Sequence, residues 1–219
     1  MTRPSSARLR AFVRSETALQ AVPGLPSIRL HIADDVMALC HRAGTFMGEP
    51  EPDLPFWAFP WAGGMGIAHH LEEHPEEVAG RAVLDLASGS GLCGIVALRQ
   101  GAASVLAVDP DPLAAAAIWL NAHANGVDLP CLARDLLDDP PPPVEVILAG
   151  DVCYQPTMAD RILAWLRAAS HAGTRVLLGD PGRAYLPDGL QLLSRYEVTT
   201  SPELEDADRK VVAIYVLEA

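Results

Sequence analysis

From Ala82 onward the chain alternates short apolar runs with helix-like stretches, and this alternation constrains the fold more than any other feature. Ala82-Val83-Leu84-Asp85-Leu86 reads as a buried strand, 91–100 as a small-residue helix, 104–108 as a second strand and 112–125 as an Ala-rich helix. A short third strand is expected at 130–133 and a fourth at 144–149. A helix follows over 157–171 with Ile162, Leu163 and Leu166 on one face, then a fifth strand at 175–179. Strands apolar throughout must be covered on both faces, and helical crossovers between them make them parallel. The end of the chain breaks the pattern. Segments 196–200 and 211–217 read as strands with no helix between them, so an antiparallel edge hairpin is expected. The fold class is α/β: a mostly parallel sheet with helices on both faces and an antiparallel C-terminal hairpin.

Residues 1–60 read as an irregular, proline-rich N-terminal extension packing on a domain of residues 61–219. Within it, 27–32 alternates as a strand. A helix is expected over 33–43, with Asp34 and Asp35 at its start and Gly44 at its end. Residues 48–55 read as a loop, and a helix over 64–78 must kink or restart at Pro75.

Composition sets the partners. The 28 acidic and 16 basic residues give a net charge of −12. Such a surface repels phosphate backbones, so no nucleic-acid partner is expected, and it suits a cationic one such as a lysine side chain. No apolar run approaches the roughly 20 residues that cross a bilayer, so no membrane is expected. Cys40, Cys93, Cys131 and Cys153 form no CxxC pair and read as buried thiols of a reducing, cytoplasmic compartment. Arg3, Arg8, Arg10 and Arg14, with no acid among the first fourteen residues, faintly resemble a transit peptide but run straight into structured-looking sequence. Lys210 is the only lysine, a usage associated with GC-rich bacterial genomes.

Asp85-Leu86-Ala87-Ser88-Gly89-Ser90-Gly91-Leu92-Cys93-Gly94 follows the first strong strand and opens a helix. Its GxGxxG lets backbone and free helix N–H groups approach a ligand, in NAD and S-adenosylmethionine (SAM) sites alike. Asp85, four residues before Gly89, favours SAM, because a carboxylate there can organise a cationic methionine end. The eighty residues ahead of the loop and the C-terminal hairpin point the same way. Asp109 ends the second strand and can accept both ribose hydroxyls. Asp111 reads as a turn residue or cap. Asp135 either accepts from the adenine amino group or caps the next turn, and Asn121 either packs or functions. Gly150-Asp151-Val152-Cys153-Tyr154 ends the fourth strand, where open α/β sheets bind ligands. Asp151 and Tyr154 are therefore placed to meet an acceptor, or Asp151 caps the helix starting near Thr157.

The segments 55–64, 83–91, 150–154 and 179–183, with 12–15 and 28–31, resemble the electron transfer flavoprotein β-subunit lysine methyltransferases over nearly the whole chain. The resemblance implies a Rossmann-like seven-stranded sheet in the order 3-2-1-4-5-7-6, with the seventh strand antiparallel. It implies SAM as cofactor and S-adenosylhomocysteine as product. It also implies a protein substrate, the flavoprotein β-subunit, with ribosomal protein lysines as further targets. Asp151 and Tyr154 match the Asp-x-x-Tyr motif that holds the lysine, and Trp61 matches an aromatic lying against the cofactor. Asp85, Ser88, Gly89, Ser90 and Gly91 match the SAM loop, Asp109 and Pro110 the ribose site, and Gly150 the end of strand four. Asp135 stands where some members have Asn. Asp180 to Arg183 match a loop near the substrate, without an assigned role. The animal members carry a longer mitochondrial N-terminus. The asparagine-proline-proline motif of adenine and glutamine methylases is absent.

For such a reaction the protein needs mainly to align an acceptor nitrogen with the cofactor's methyl group. A lysine, with a reference pKa of about 10.4, must first lose a proton. Desolvation favours the neutral amine, while Asp151 would orient its remaining hydrogens. No metal is required. The alternatives are a SAM-binding protein with a small-molecule acceptor or acting as a non-catalytic adaptor, an NAD-dependent oxidoreductase, and a zinc hydrolase. The last rests on His70-Leu71-Glu72-Glu73-His74, an HxxEH match. Pro75 breaks that helix at once, and the His pair reads as a solvated helix face.

Overall fold

The described residues ahead of Trp61 are more regular than their proline content implies. The computed structural model describes residues 4–50 and 52–217. The chain runs through α1 (Ser6–Glu16), a hairpin of β1 (Ala18–Val22) and β2 (Leu25–Ile32), and α2 (Val36–Met47). After a 3-10 turn at Phe56–Ala58 come α3 (Ala62–Glu73) and a second 3-10 turn at Pro75–Glu77. Then follow β3 (Ala82–Leu86), α4 (Leu92–Arg99), β4 (Ser104–Val108), α5 (Pro112–Ala124), β5 (Cys131–Leu132) and β6 (Val146–Gly150). The chain closes with α6 (Pro156–His171), β7 (Arg175–Asp180), β8 (Gln191–Thr199), the single-turn α7 (Pro202–Glu205) and β9 (Arg209–Leu217).

The main sheet has seven strands in the order β5-β4-β3-β6-β7-β9-β8. Pairs from β5 to β7 are parallel, and β9 runs antiparallel to both β7 and β8. Successive residues of a strand point to opposite faces. Val83, Leu148 and Leu177 thus join the core under α3 and α4, while Leu84, Ile147 and Val176 join the core under α6. This two-sided burial is why those strands read as unbroken apolar runs. Chain order reverses between β4 and β6, the two neighbours of β3, and leaves a crevice at the strands' C-terminal ends.

Several local expectations need correction. The C-terminal hairpin contains a helical turn, α7, and β8 begins at Gln191 rather than 196. Asp35 caps α2 by accepting from Ala38 N–H at 2.9 Å, but the helix runs on to Gly48 (φ 77°). Gly44 lies inside it because the following loop crosses there: a Cβ would sit 2.7 Å from Pro52 Cγ. The His pair is not a solvated face. His70 is 3% exposed, with Nδ1 3.0 Å from Ser194 Oγ and 3.3 Å from Tyr196 Oη, and only His74 faces solvent. All four cysteines are free thiols, but only Cys93 and Cys153 are buried. Among the described residues no helix is long and apolar enough to cross a membrane.

The N-terminal segment packs on α5 through Leu9, Val13, Leu39 and Trp57 against Leu113, Ala117 and Leu120. The free edge of β2 is met by side chains of α5. Asn125 Oδ1 accepts from Arg29 N–H at 3.0 Å while its Nδ2 donates to Arg29 O at 2.6 Å. Asn121 Oδ1 accepts from His31 N–H at 2.7 Å, and its Nδ2 donates to Ser90 O at 2.8 Å. Asn121 is therefore a structural bridge between the extension and the Gly-rich loop.

Candidate active site

A cavity of about 570 Å³ opens at the C-terminal ends of β3, β4 and β6. Of the residues expected at the site, Trp61, Asp85, Ser88, Gly89, Ser90, Asp109, Pro110, Asp135, Gly150, Asp151 and Tyr154 line it. Gly91 does not. Its φ of 83° starts α4, and a Cβ there would press on Ile118 Cγ1 at 3.2 Å.

The loop after β3 is wound tightly, with Ala87, Gly89 and Gly91 all at positive φ. A left-handed alanine is uncommon and strained. Asp85 fixes the turn from below. It accepts from Ser88 Oγ at 2.5 Å and from Gly94 N–H at 2.9 Å. Burial pushes its carboxyl up to about 7, against the pull of these two donors, and Asp109 adds repulsion. Asp109 accepts from Gly89 N–H at 2.9 Å and Asp111 N–H at 3.0 Å, and burial raises its carboxyl as well. These neutral donors leave both negative charges uncompensated and half the lone pairs free. Asp111 is the cap of α5, accepting from Leu113 N–H at 2.7 Å. The acceptor pair suits a ligand bearing an ammonium and neighbouring hydroxyls, and the cavity volume falls within the range of cofactor sites.

Asp135 borders the cavity with its carboxylate engaged. It accepts from Leu137 N–H at 2.8 Å and from Arg161 Nη1 at 2.6 Å. The contact to Leu137 is the turn cap expected as one alternative, and a remaining lone pair is left for an amino group.

Asp151 follows β6 in a left-handed conformation, φ 57°. Its carboxylate caps a helix, but α3 rather than α6: Oδ2 accepts from Gly63 N–H. Oδ1 accepts from Arg183 Nε at 3.0 Å and Nη2 at 2.6 Å. Burial raises its carboxyl to about 6, with Arg183 and Gly63 opposing and Glu205 reinforcing that rise. The approach of α3 to this point depends on glycine. A Cβ on Gly63 would collide with Gly179 O and lie 2.6 Å from Asp151 N.

One aromatic wall runs along the cavity. Phe56 lies 5.5 Å from the Trp61 ring and 5.2 Å from that of Tyr154, and Trp61 Nε1 donates to Phe56 O at 2.9 Å. Phe56 and Arg183 are the site residues to which sequence reasoning gave no role. Both fall in family-like segments, but no spacing rule marks them.

A family model for the ribosomal protein L11 methyltransferase (PrmA) matches residues 69–154. The electron transfer flavoprotein beta subunit lysine methyltransferase of Xenopus laevis is 35% identical over 215 residues, covering 93% of this chain and 85% of that protein. The protein of the same name from Danio rerio is 38% identical over 164 residues, 72% of this chain. The matched stretches span 63% of the Danio rerio protein and 51% of its Rattus norvegicus counterpart. A solved structure from Pyrococcus horikoshii, described as a candidate RNA methyltransferase, superposes with a TM-score of 0.50 at 16% identity. It covers 68% of this chain and 79% of that one, a likeness of fold alone. These flavoprotein relatives are animal proteins, so the expectations of bacterial origin and cytoplasmic location draw no support from them. Through the Xenopus laevis match, which runs nearly end to end in both proteins, the chain belongs to the electron transfer flavoprotein β-subunit lysine methyltransferase family.

Proposed function

We propose that this chain is a SAM-dependent protein-lysine N-methyltransferase acting on the electron transfer flavoprotein β-subunit, with ribosomal protein lysines as a second class of target. Residues 61–219 are its transferase domain and 1–60 an extension. One observation carries the reading: two buried carboxylates, Asp85 on β3 and Asp109 after β4, share a single cavity with Asp151 and Tyr154 after β6. The near full-length likeness to lysine methyltransferases supports a protein acceptor over a small molecule. Four free thiols fit a reducing compartment such as the cytoplasm.

In this reading Asp85 faces the methionine ammonium and Asp109 the ribose hydroxyls. Trp61, the loop from Ser88 to Ser90, Pro110, Asp135 and Gly150 complete the cofactor site. SAM, when bound, supplies a methyl group activated by its sulfonium. The chain's own task is to align and deprotonate the acceptor. Packing of a lysine against Phe56, Trp61 and Tyr154 removes water and favours the neutral amine, while Asp151 accepts its hydrogens. Purified flavoprotein β-subunit incubated with enzyme and SAM is expected to gain mass in whole methyl steps on lysine. An unchanged mass rejects this substrate. Calorimetric binding of NAD with none of SAM rejects the cofactor.

SAM affinity should fall as pH drops below about 7. Asp85 in the free protein takes up a proton as pH falls through that value. The protonated carboxyl offers no charge to an ammonium, so binding must expel the proton. One coupled proton weakens binding by about tenfold per pH unit, well below the free-protein value. Calorimetry in buffers of different ionisation enthalpy measures both affinity and proton release. Flat affinity across this range would remove Asp85 from contact with the ammonium.

A further inference from the structure

Both oxygens of Asp151 are already taken, and the cation on Oδ1 belongs to the protein. Arg183 lines the cavity beside Asp151 and binds Oδ1 through two nitrogens, at 3.0 and 2.6 Å. The same Nη2 reaches Glu205 Oε1 at 2.7 Å. Glu205, on α7, is 3% exposed. Its Oε1 also accepts from Ala62 N–H at 3.4 Å, whereas Oε2 is buried with no hydrogen-bond partner, 3.8 Å from Lys210 Nζ. We propose that Arg183 is a positioning residue that holds Asp151 while the acceptor side is empty and passes to Glu205 when a lysine enters. This inference rests on the lysine-methylation reading.

Three features support it. An ammonium and a guanidinium compete for the one carboxylate oxygen that Gly63 does not hold. A buried acceptor without a partner is costly, and a second Arg183 N–H on Glu205 Oε2 would relieve it. The exchange turns a shared guanidinium into a two-pronged pair with Glu205, the geometry arginine favours with carboxylates. The swing needs no backbone movement. Asp180 accepts from Gly182 N–H at 2.7 Å and Arg183 N–H at 2.6 Å, which pins the main chain while the side-chain end moves.

The test compares Glu205→Gln, Arg183→Met and Arg183→Lys with wild type, using flavoprotein β-subunit and SAM. Glu205→Gln removes the charge that receives the guanidinium. KM for the protein substrate should rise about tenfold, the scale of a charged hydrogen bond, with kcat and SAM affinity little changed. Arg183→Met leaves Asp151 without its cation, so the acid limb of kcat/KM should move up by about one pH unit or more. The other titratable groups around Asp151 are Glu205 on α7, Asp180 at the end of β7, Cys93 on α4 and Cys153. Both thiols are raised by burial, so neither carries charge in that range. Arg183→Lys should restore the wild-type acid limb. An unchanged KM in Glu205→Gln, or a SAM affinity that falls with it, overturns the proposal. So does an unmoved acid limb in Arg183→Met. If that variant fails to fold, the near-isosteric Glu205→Gln decides alone. Wild-type enzyme that leaves lysine unmethylated would instead overturn the underlying reading.

Discussion

Asp151→Ala is expected to slow methyl transfer by about 100-fold while leaving SAM affinity nearly intact. The loss corresponds to roughly 2.7 kcal/mol of transition-state stabilisation. The lysine nitrogen loses its orienting acceptor and the adjacent negative charge. The cofactor carboxylates belong to other strands, Asp85 on β3 and Asp109 after β4, so their contacts should survive. Asp151→Asn should fall between the variant and wild type. Asparagine tolerates the left-handed backbone at φ 57° and can still accept from Gly63 N–H, but it lacks the charge. Tyr154→Phe should cost less than either, because the ring keeps its place 5.2 Å from Phe56. Single-turnover methylation beside SAM titration separates the two effects. Wild-type turnover in Asp151→Ala, or SAM binding lost as badly as activity, removes Asp151 from the acceptor side.

Gly63→Ala should destabilise the fold by about 3 kcal/mol or more, the scale of overpacking against atoms that cannot yield. The added methyl would meet Gly179 O and Asp151 N, both backbone. Gly179→Ala attacks the same contact from β7, striking Gly63 O and lying 2.8 Å from Ile67 Cγ1. The neighbouring Gly64→Ala is the control. Its Cβ meets only Cys93 Sγ at an ordinary 3.7 Å, and alanine is the better helix former by about 1 kcal/mol. Denaturant midpoints should therefore fall for Gly63→Ala and Gly179→Ala and hold or rise for Gly64→Ala. Equal midpoints for Gly63→Ala and Gly64→Ala would show that the α3 start has room to retreat from the sheet.

The central strands were legible because burial on both faces leaves no room for polar residues. β3, β4, β6 and β7 fall within about two residues of where apolar runs place them. The first helix was not legible, since α1 buries only Leu9 and Val13. β1 likewise buries only Val22, so its strand pattern is faint. The start of β8 lies on a sheet edge with exposed Gln191 and Leu192, where alternation fades. Strand ends marked Asp85, Asp109 and Asp151 as candidates because parallel sheets gather ligands there. Arg183 and Glu205 carried no such mark. They meet only because the C-terminal hairpin brings α7 back over the start of α3, a contact that no local spacing encodes.

The two asparagines of α5 act as a vernier. Four residues of helix advance about 6 Å, and two residues of strand about 6.6 Å. Asn121 and Asn125 thus read off His31 and Arg29, two positions apart on the same edge of β2. The hairpin alone defines its alignment less firmly, since β1 and β2 shift register between Ala21 and Val22. A slip of one residue would turn the strand's outward-facing amides away from both asparagines at once. Because Asn121 also holds Ser90 O, such a slip would be transmitted to the glycine turn and not absorbed at the periphery. The extension thereby gauges the loop, and length changes in the β1–β2 turn should be tolerated far less than their exposure implies.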